Sequence, residues 1–118
     1  MSKETTPEQS FSGSFDRPYP KGDIKDYIRQ MQEDSKGWFG EADPFIWMLG
    51  LVGEAGECAD QMKKYLRGSK TEAQMIEKLK VELIDVFHYW CLLIGYYDVD
   101  VEEVYTKKRE YNVQRYAR

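Results

Sequence analysis

Val81-Glu82-Leu83-Ile84-Asp85-Val86-Phe87-His88-Tyr89-Trp90 (VELIDVFHYW) is an apolar run that carries two carboxylates three residues apart. It continues as CLLIGYY, so its surroundings become no more polar. Nothing in it alternates with a strand's period of two. It reads as the middle of a long helix, about 71 to 97, with Thr71 as N-cap and Gln74 placed to complete a capping box. Residues three apart are neighbours on a helix, so Glu82 and Asp85 point to one side. An unpaired carboxylate buried there costs several kcal/mol or gives up its charge. The run therefore demands a compensating partner, and a bound cation is one.

Three further helices surround it. One runs from about 23 to 34 with Ile24, Tyr27, Ile28 and Met31 on one face, and SKGWFGEAD follows as a loop. The next opens on Asp43 as N-cap with Pro44 in the first turn and stops at Arg67-Gly68. The last starts after Asp100 and carries VEEVYTKKREYNVQRY. With short connections, neighbouring helices pack antiparallel. The expected class is all-α, a four-helix antiparallel bundle over 23–118, preceded by a Ser-, Thr-, Gly- and Pro-rich tail, 1–22, whose Phe11, Phe15 and Tyr19 can pin it to a neighbour. Gly50, Gly53 and Gly56 recur at intervals of three in the second helix, where each costs up to about 1 kcal/mol against alanine; close approach of another backbone along that stripe is the expected return.

The 118 residues suffice for one modest core. Seventeen Lys and Arg against 21 Asp and Glu leave a net charge of -4, which argues against nucleic acid as the main partner. No apolar run is long enough to span a bilayer, no signal-peptide pattern opens the chain, and Cys58 and Cys91 lack zinc spacing or a disulfide framework. Reduced thiols in a cytoplasmic protein are the expectation.

The second helix adds Glu54 and Glu57 (EAGE) to the Glu82 and Asp85 of ELID. Antiparallel helices let the four carboxylates face one another. Oxygen ligands without His or Cys suit a hard cation, Mg²⁺ or Mn²⁺. EAGE alone reads better as a solvated face, with Gln61, Lys63 and Lys64 nearby; for ELID the structural alternative is an ion pair between Glu82 and Lys78, which leaves Asp85 unserved. His88 is the single histidine, so a di-iron carboxylate centre fails by count, and a hydrogen-bonded core residue is its plain reading. In the last helix Lys108, Asn112 and Arg115 fall on one face, the donors a polyphosphate requires, although the helix dipole alone accounts for a basic terminus.

LVGEAGECAD, KVELIDVFHYW and K-x-x-x-N-x-x-R-Y, in that order, resemble the MazG-like all-α nucleoside triphosphate pyrophosphatases, over about residues 23–116. The resemblance includes the dCTP pyrophosphatases, dimeric dUTPases and phosphoribosyl-ATP pyrophosphohydrolases, whose hallmark E-x-x-E and E-x-x-D are here separated by the 24 residues 58–81. It implies that Glu54, Glu57, Glu82 and Asp85 bind Mg²⁺ and perform catalysis, with Glu54 or Glu57 orienting the attacking water. It implies that Lys108, Asn112 and Arg115 contact phosphates, and that Trp38 and Tyr89 stand near the base. Arg29 occupies the position where the family has a histidine. The implied activity is conversion of a (d)NTP to (d)NMP and pyrophosphate in nucleotide-pool housecleaning, by a homodimer or homotetramer with its site near a subunit boundary. Trp47, Trp90, Tyr96 and Tyr97 are hard to bury in one copy and point the same way. The rivals are phosphoribosyl-ATP pyrophosphohydrolase and a non-catalytic helical oligomerisation or regulatory module.

Overall fold

The computed structural model describes residues 22–41 and 43–117; the expected tail lies outside them except for Gly22. The described chain is helical throughout, as the patterns require: α1 (Ile24–Phe39), α2 (Pro44–Leu66), α3 (Glu72–Tyr96) and α4 (Val101–Tyr116), with no strand among the described residues.

Each helix starts on an acceptor side chain. Asp23 and Asp26 form a reciprocal capping box for α1, and Thr71 and Gln74 do the same for α3. Asp43 accepts from the Phe45 and Ile46 amides with Pro44 at the first position, and Asp100 accepts from the Glu103 amide. The stops are equally local. Gly68, with φ 83°, follows α2, and the Ser69 amide reaches back to the Lys64 carbonyl at 2.9 Å. After α3 the turn uses Asp98 at φ 54°, one of the few side chains that tolerates the left-handed region.

The expected boundary of α1 needs correction. The helix does not end near Asp34 but continues through Ser35, Gly37 and Trp38 to Phe39, and stops at Gly40, whose φ of 84° leaves the helical region. Ser35 is buried, and its packing overrides its weak helix propensity; Gly37 is exposed and is carried within the same helix. SKGWF is therefore helix, and only a short turn precedes α2.

α2 and α3 form an antiparallel hairpin. Gly50 meets Tyr89, and four residues on Glu54 meets Glu82 and Asp85, so the two sequences run in opposite senses along the contact. α1 lies against α3. The buried apolar core of the described chain is small: Ile28, Met75, Cys91 and Leu92. Half-buried aromatics extend it, with Phe87 stacked on Trp90 (centroids 5.8 Å) and Tyr27 edge-on to Phe87 (6.2 Å). Trp47 meets Tyr96 edge-on at 5.8 Å, yet Tyr96 and Tyr97 stay half exposed. α4 makes no substantial packing contact with the other helices and buries none of its residues. The radius of gyration, 16.9 Å, exceeds the roughly 13 Å of a compact chain this long.

The glycines divide. A Cβ on Gly50 would lie 2.5 Å from the Tyr89 ring, so that glycine admits the tyrosine; around Gly53 and Gly56 there is open space. Close approach along the whole stripe does not occur within one copy. Gly50→Ala sets a ring displacement costing about 1–3 kcal/mol against the up to about 1 kcal/mol that alanine returns in helix propensity. Urea unfolding is expected to show a net loss in the presence of Tyr89 and a gain in a Tyr89→Ala background. Equal effects in the two backgrounds would contradict the contact.

Candidate metal centre

The α2–α3 hairpin brings carboxylate oxygens of Glu54, Glu82 and Asp85 within 4.8 Å of one another. Glu54 comes from the inner face of α2, and Glu82 and Asp85 from one side of α3. Glu82 is buried, and Glu54 and Asp85 are half-buried. Glu57 stands outside this triad, exposed at its rim, but close enough for its charge to push all three.

The three carboxyls oppose one another's ionisation. Burial, then the charges of Asp85 and Glu57, lift Glu54 from its ordinary 4.5 to about 7, and it shares a hydrogen bond with Glu82. Glu82 is raised first by burial and then by the Glu57 charge, while the hydrogen bond from Glu54 pulls it down. Asp85 is raised by burial and by Glu57, against the pull of Lys78. The Lys78 charge thus reaches Asp85, the acid that a pairing of Lys78 with Glu82 was expected to leave unserved. One ammonium does not neutralise three carboxylates. The all-oxygen donor set fits a hard divalent cation, Mg²⁺ or Mn²⁺, and offers nothing to a soft one.

The triad borders a cavity of about 670 Å³. Glu54 and Asp85 line one side of it; Trp38, Phe39, Trp47 and Tyr89 supply aromatic walls, with Met31 and Ile46 between them. The two expected aromatics therefore share one space with two of the expected acids. Trp38 reaches it because α1 continues to Phe39, and Tyr89 because Gly50 leaves room. Phe39, Trp47, Ser35 and Glu41 also line it; the sequence did not mark them as site residues, and Trp47 was noted only as hard to bury. Trp47 had a usable signal: it stands seven residues before Glu54, on the same face of α2.

His88 is not among the triad. It lines the cavity with its Nδ1 2.8 Å from the Met31 sulfur, and burial lowers its pKa, against the charge of Asp34. Arg29 lies away from the cavity, paired to Asp26 at 2.6 Å. Cys58 sits beside the acids, where burial and their charge raise its thiol pKa; Cys91 is fully buried.

Lys108, Asn112 and Arg115 do share one face of α4, and Val104, Tyr105, Tyr111 and Tyr116 lie on that same side. Lys108 sits over the Tyr111 ring at 4.9 Å, and Arg115 donates to the Tyr111 hydroxyl at 3.3 Å. This face does not pack against the acid triad of its own copy.

No protein-family model, curated protein or solved structure matches the chain.

The raised carboxyls set a testable pH dependence. A carboxyl lifted by folding binds more protons folded than unfolded between its two pKa values, so it favours the folded state at low pH and that stability is lost as pH rises. For Glu54 the window runs from about 4.5 to about 7. His88, lowered by burial, contributes the opposite slope near 6.5. Melting of chelator-treated protein between pH 4.5 and 7.5 is therefore compared with Glu54→Gln: the substitution is expected to stabilise progressively more as pH rises. A pH-independent difference would mean that the triad is not mutually repulsive.

Proposed function

We propose that the chain is a Mg²⁺-dependent nucleoside triphosphate pyrophosphohydrolase, converting a (d)NTP to (d)NMP and pyrophosphate in nucleotide-pool housecleaning in the cytoplasm. The observation that carries this reading is the conjunction of an oxygen-only carboxylate triad with an aromatic cavity on its flank. An ion at Glu54, Glu82 and Asp85 would neutralise the acids and screen the negative charge of a polyphosphate. The base and sugar occupy the cavity, between Trp38 and Tyr89, and the phosphates face the acids.

In this reading a water oxygen bonds to the α-phosphorus, the bridge to the β-phosphate breaks, and pyrophosphate leaves. Glu54 or Glu57 is the group placed to orient that water and take its proton. Glu57, at the rim, keeps the local field negative and helps hold the ion. Lys108, Asn112 and Arg115 bind the departing phosphates. They cannot do so from their own copy as α4 stands, so the reading requires a homodimer or homotetramer in which α4 of one copy meets the acids of another. The α4 face suits that role: tyrosines and valines to pack, with cations among them. A helix of 16 residues is marginal alone in water and needs such a partner.

The assay incubates the protein and Mg²⁺ with each canonical and modified (d)NTP and with phosphoribosyl-ATP, scoring pyrophosphate and orthophosphate separately. Pyrophosphate from one or a few nucleotides, abolished by EDTA, is expected. Asp85→Asn is expected to lose at least 100-fold in kcat with helicity retained. Orthophosphate alone would place the cut at another bond, and hydrolysis of phosphoribosyl-ATP only would move the reading to that substrate. No product at all would leave a helical assembly module. Mixing Asp85→Asn with Lys108→Ala/Arg115→Ala chains tests the shared site: partial recovery of activity is expected, and none if each copy works alone.

A further inference from the structure

The aromatic cavity holds two polar atoms that the fold does not use. One is the hydroxyl oxygen of Ser35. Ser35 is only 4% exposed, yet its hydroxyl has no hydrogen-bond partner among the described residues. No buried side-chain oxygen or nitrogen among them is both unpartnered and sealed from solvent, so this oxygen opens onto the space beside it. That space is the cavity of about 670 Å³ and an adjoining one of about 550 Å³, both lined by Ser35, Trp47 and Leu92. A buried hydroxyl without a partner costs stability, and serine forms helix less readily than alanine. The fold alone gives no reason for serine here.

The other atom is Nε2 of His88. Its Nδ1 lies 2.8 Å from the Met31 sulfur. A thioether has no proton to give, so that contact places the hydrogen of the neutral ring on Nδ1. Burial lowers the ring's pKa from its ordinary 6.5, against the charge of Asp34, and so favours the neutral form. Nε2 is then a bare acceptor, and no described residue donates to it. The two atoms are close to one another: Met31 stands one turn before Ser35 on α1, and His88 touches Met31 from α3. The other polar groups around the cavity are engaged or outside it. Asp43 accepts from the Phe45 and Ile46 amides, Glu54 and Asp85 belong to the triad, and Glu41 is exposed.

We infer that Ser35 and His88 are the specificity-determining pair of this cavity, reading the edge of a planar heteroaromatic ring that carries an N–H donor beside an acceptor. His88 Nε2 accepts from the ring's N–H, and the Ser35 hydroxyl donates to the neighbouring acceptor. The division of labour is physical. Flat walls such as Trp38 and Tyr89 favour any flat ring and choose none. Polar groups at the ring's edge do choose, because the wrong ring leaves them unpaired. Every nucleobase presents a donor beside an acceptor on its pairing edge, so the pair demands an intact edge, and the panel below identifies the base.

This inference rests on the cavity being a base site, as proposed above, but its test needs neither metal nor phosphate. Quenching of tryptophan fluorescence is measured on the full chain in EDTA, with unphosphorylated nucleosides in matched pairs. The donor is deleted in purine riboside against adenosine and in pyrimidin-2-one riboside against cytidine. It is blocked by methylation in 3-methyluridine against uridine and in 1-methylguanosine against guanosine. At least one nucleoside is expected to bind about tenfold tighter than its donor-lacking partner. His88→Phe keeps a ring and loses both nitrogens, and is expected to erase that preference. Ser35→Ala is expected to weaken the preferred nucleoside by up to about tenfold while the ligand-free Tm holds or rises. A lowered Tm with unchanged affinity would make Ser35 a packing residue and overturn its part; this arm stands even where His88→Phe does not fold. Absence of binding by every nucleoside, absence of any preference, or a preference intact in His88→Phe overturns the pair. Turnover of a (d)NTP indifferent to both substitutions leaves the pyrophosphohydrolase reading in place without this pair, and a nucleoside preference without turnover does the reverse.

Discussion

Glu54, Glu82 and Asp85 cannot all keep their charge where the α2–α3 hairpin puts them. Their oxygens converge within 4.8 Å, two helices exclude much of the water, and the Lys78 charge offsets only part of the burden, on Asp85. Glu54 responds by holding its proton up to about pH 7. Such an arrangement is a poor way to stabilise a fold, since apolar residues would fill the seam at less cost. It is a good way to bind a divalent ion, which reverses the sign of every term in the repulsion.

The rest of the architecture is arranged around that seam. Gly50 admits Tyr89 beside the acids, and α1 runs on to Phe39, carrying Trp38 to the mouth of the same cavity. The cavity combines flat apolar walls with a negative flank. This suits a ligand with an aromatic end and an anionic end only when a cation stands between anion and carboxylates. The chain's own cations, Lys108 and Arg115, are held against tyrosines on a helix that packs on none of the others. The small core and the exposed faces of α2 and α4 share one physical cause: a chain this short buries little apolar surface in one copy.

Much of this was legible in the residues because it is local. Asp23, Asp43, Thr71 and Asp100 cap by side-chain reach alone, and Gly68 ends α2 by its backbone freedom, so boundaries near them follow from the sequence. The i,i+3 spacing of Glu82 and Asp85 fixes their common side whatever the tertiary fold. What was not legible depends on packing. The end of α1 was misplaced because Ser35 and Gly37 are weak helix formers in isolation; the burial of Ser35 against the cavity is a tertiary effect that local propensity does not show. EAGE reads as two equivalent acids, whereas only Glu54 faces the seam and Glu57 falls at its edge. The glycine stripe suggests close approach of another backbone, whereas at Gly50 it is the Tyr89 ring that comes close and Gly53 and Gly56 face open space. The face of α4 was readable, and its partner was not.

The most direct test of the account is a Mn²⁺ titration followed by electron paramagnetic resonance, which counts free aqueous ion without reference to any substrate. The intact protein is expected to remove at least one Mn²⁺ per chain from solution at micromolar to millimolar concentration, Mg²⁺ to compete it off, and Glu82→Gln and Asp85→Asn each to abolish or strongly weaken the binding with helicity unchanged. Unaltered binding in both variants, or none in the intact protein, would contradict the claim that the three carboxylates converge to hold a divalent ion.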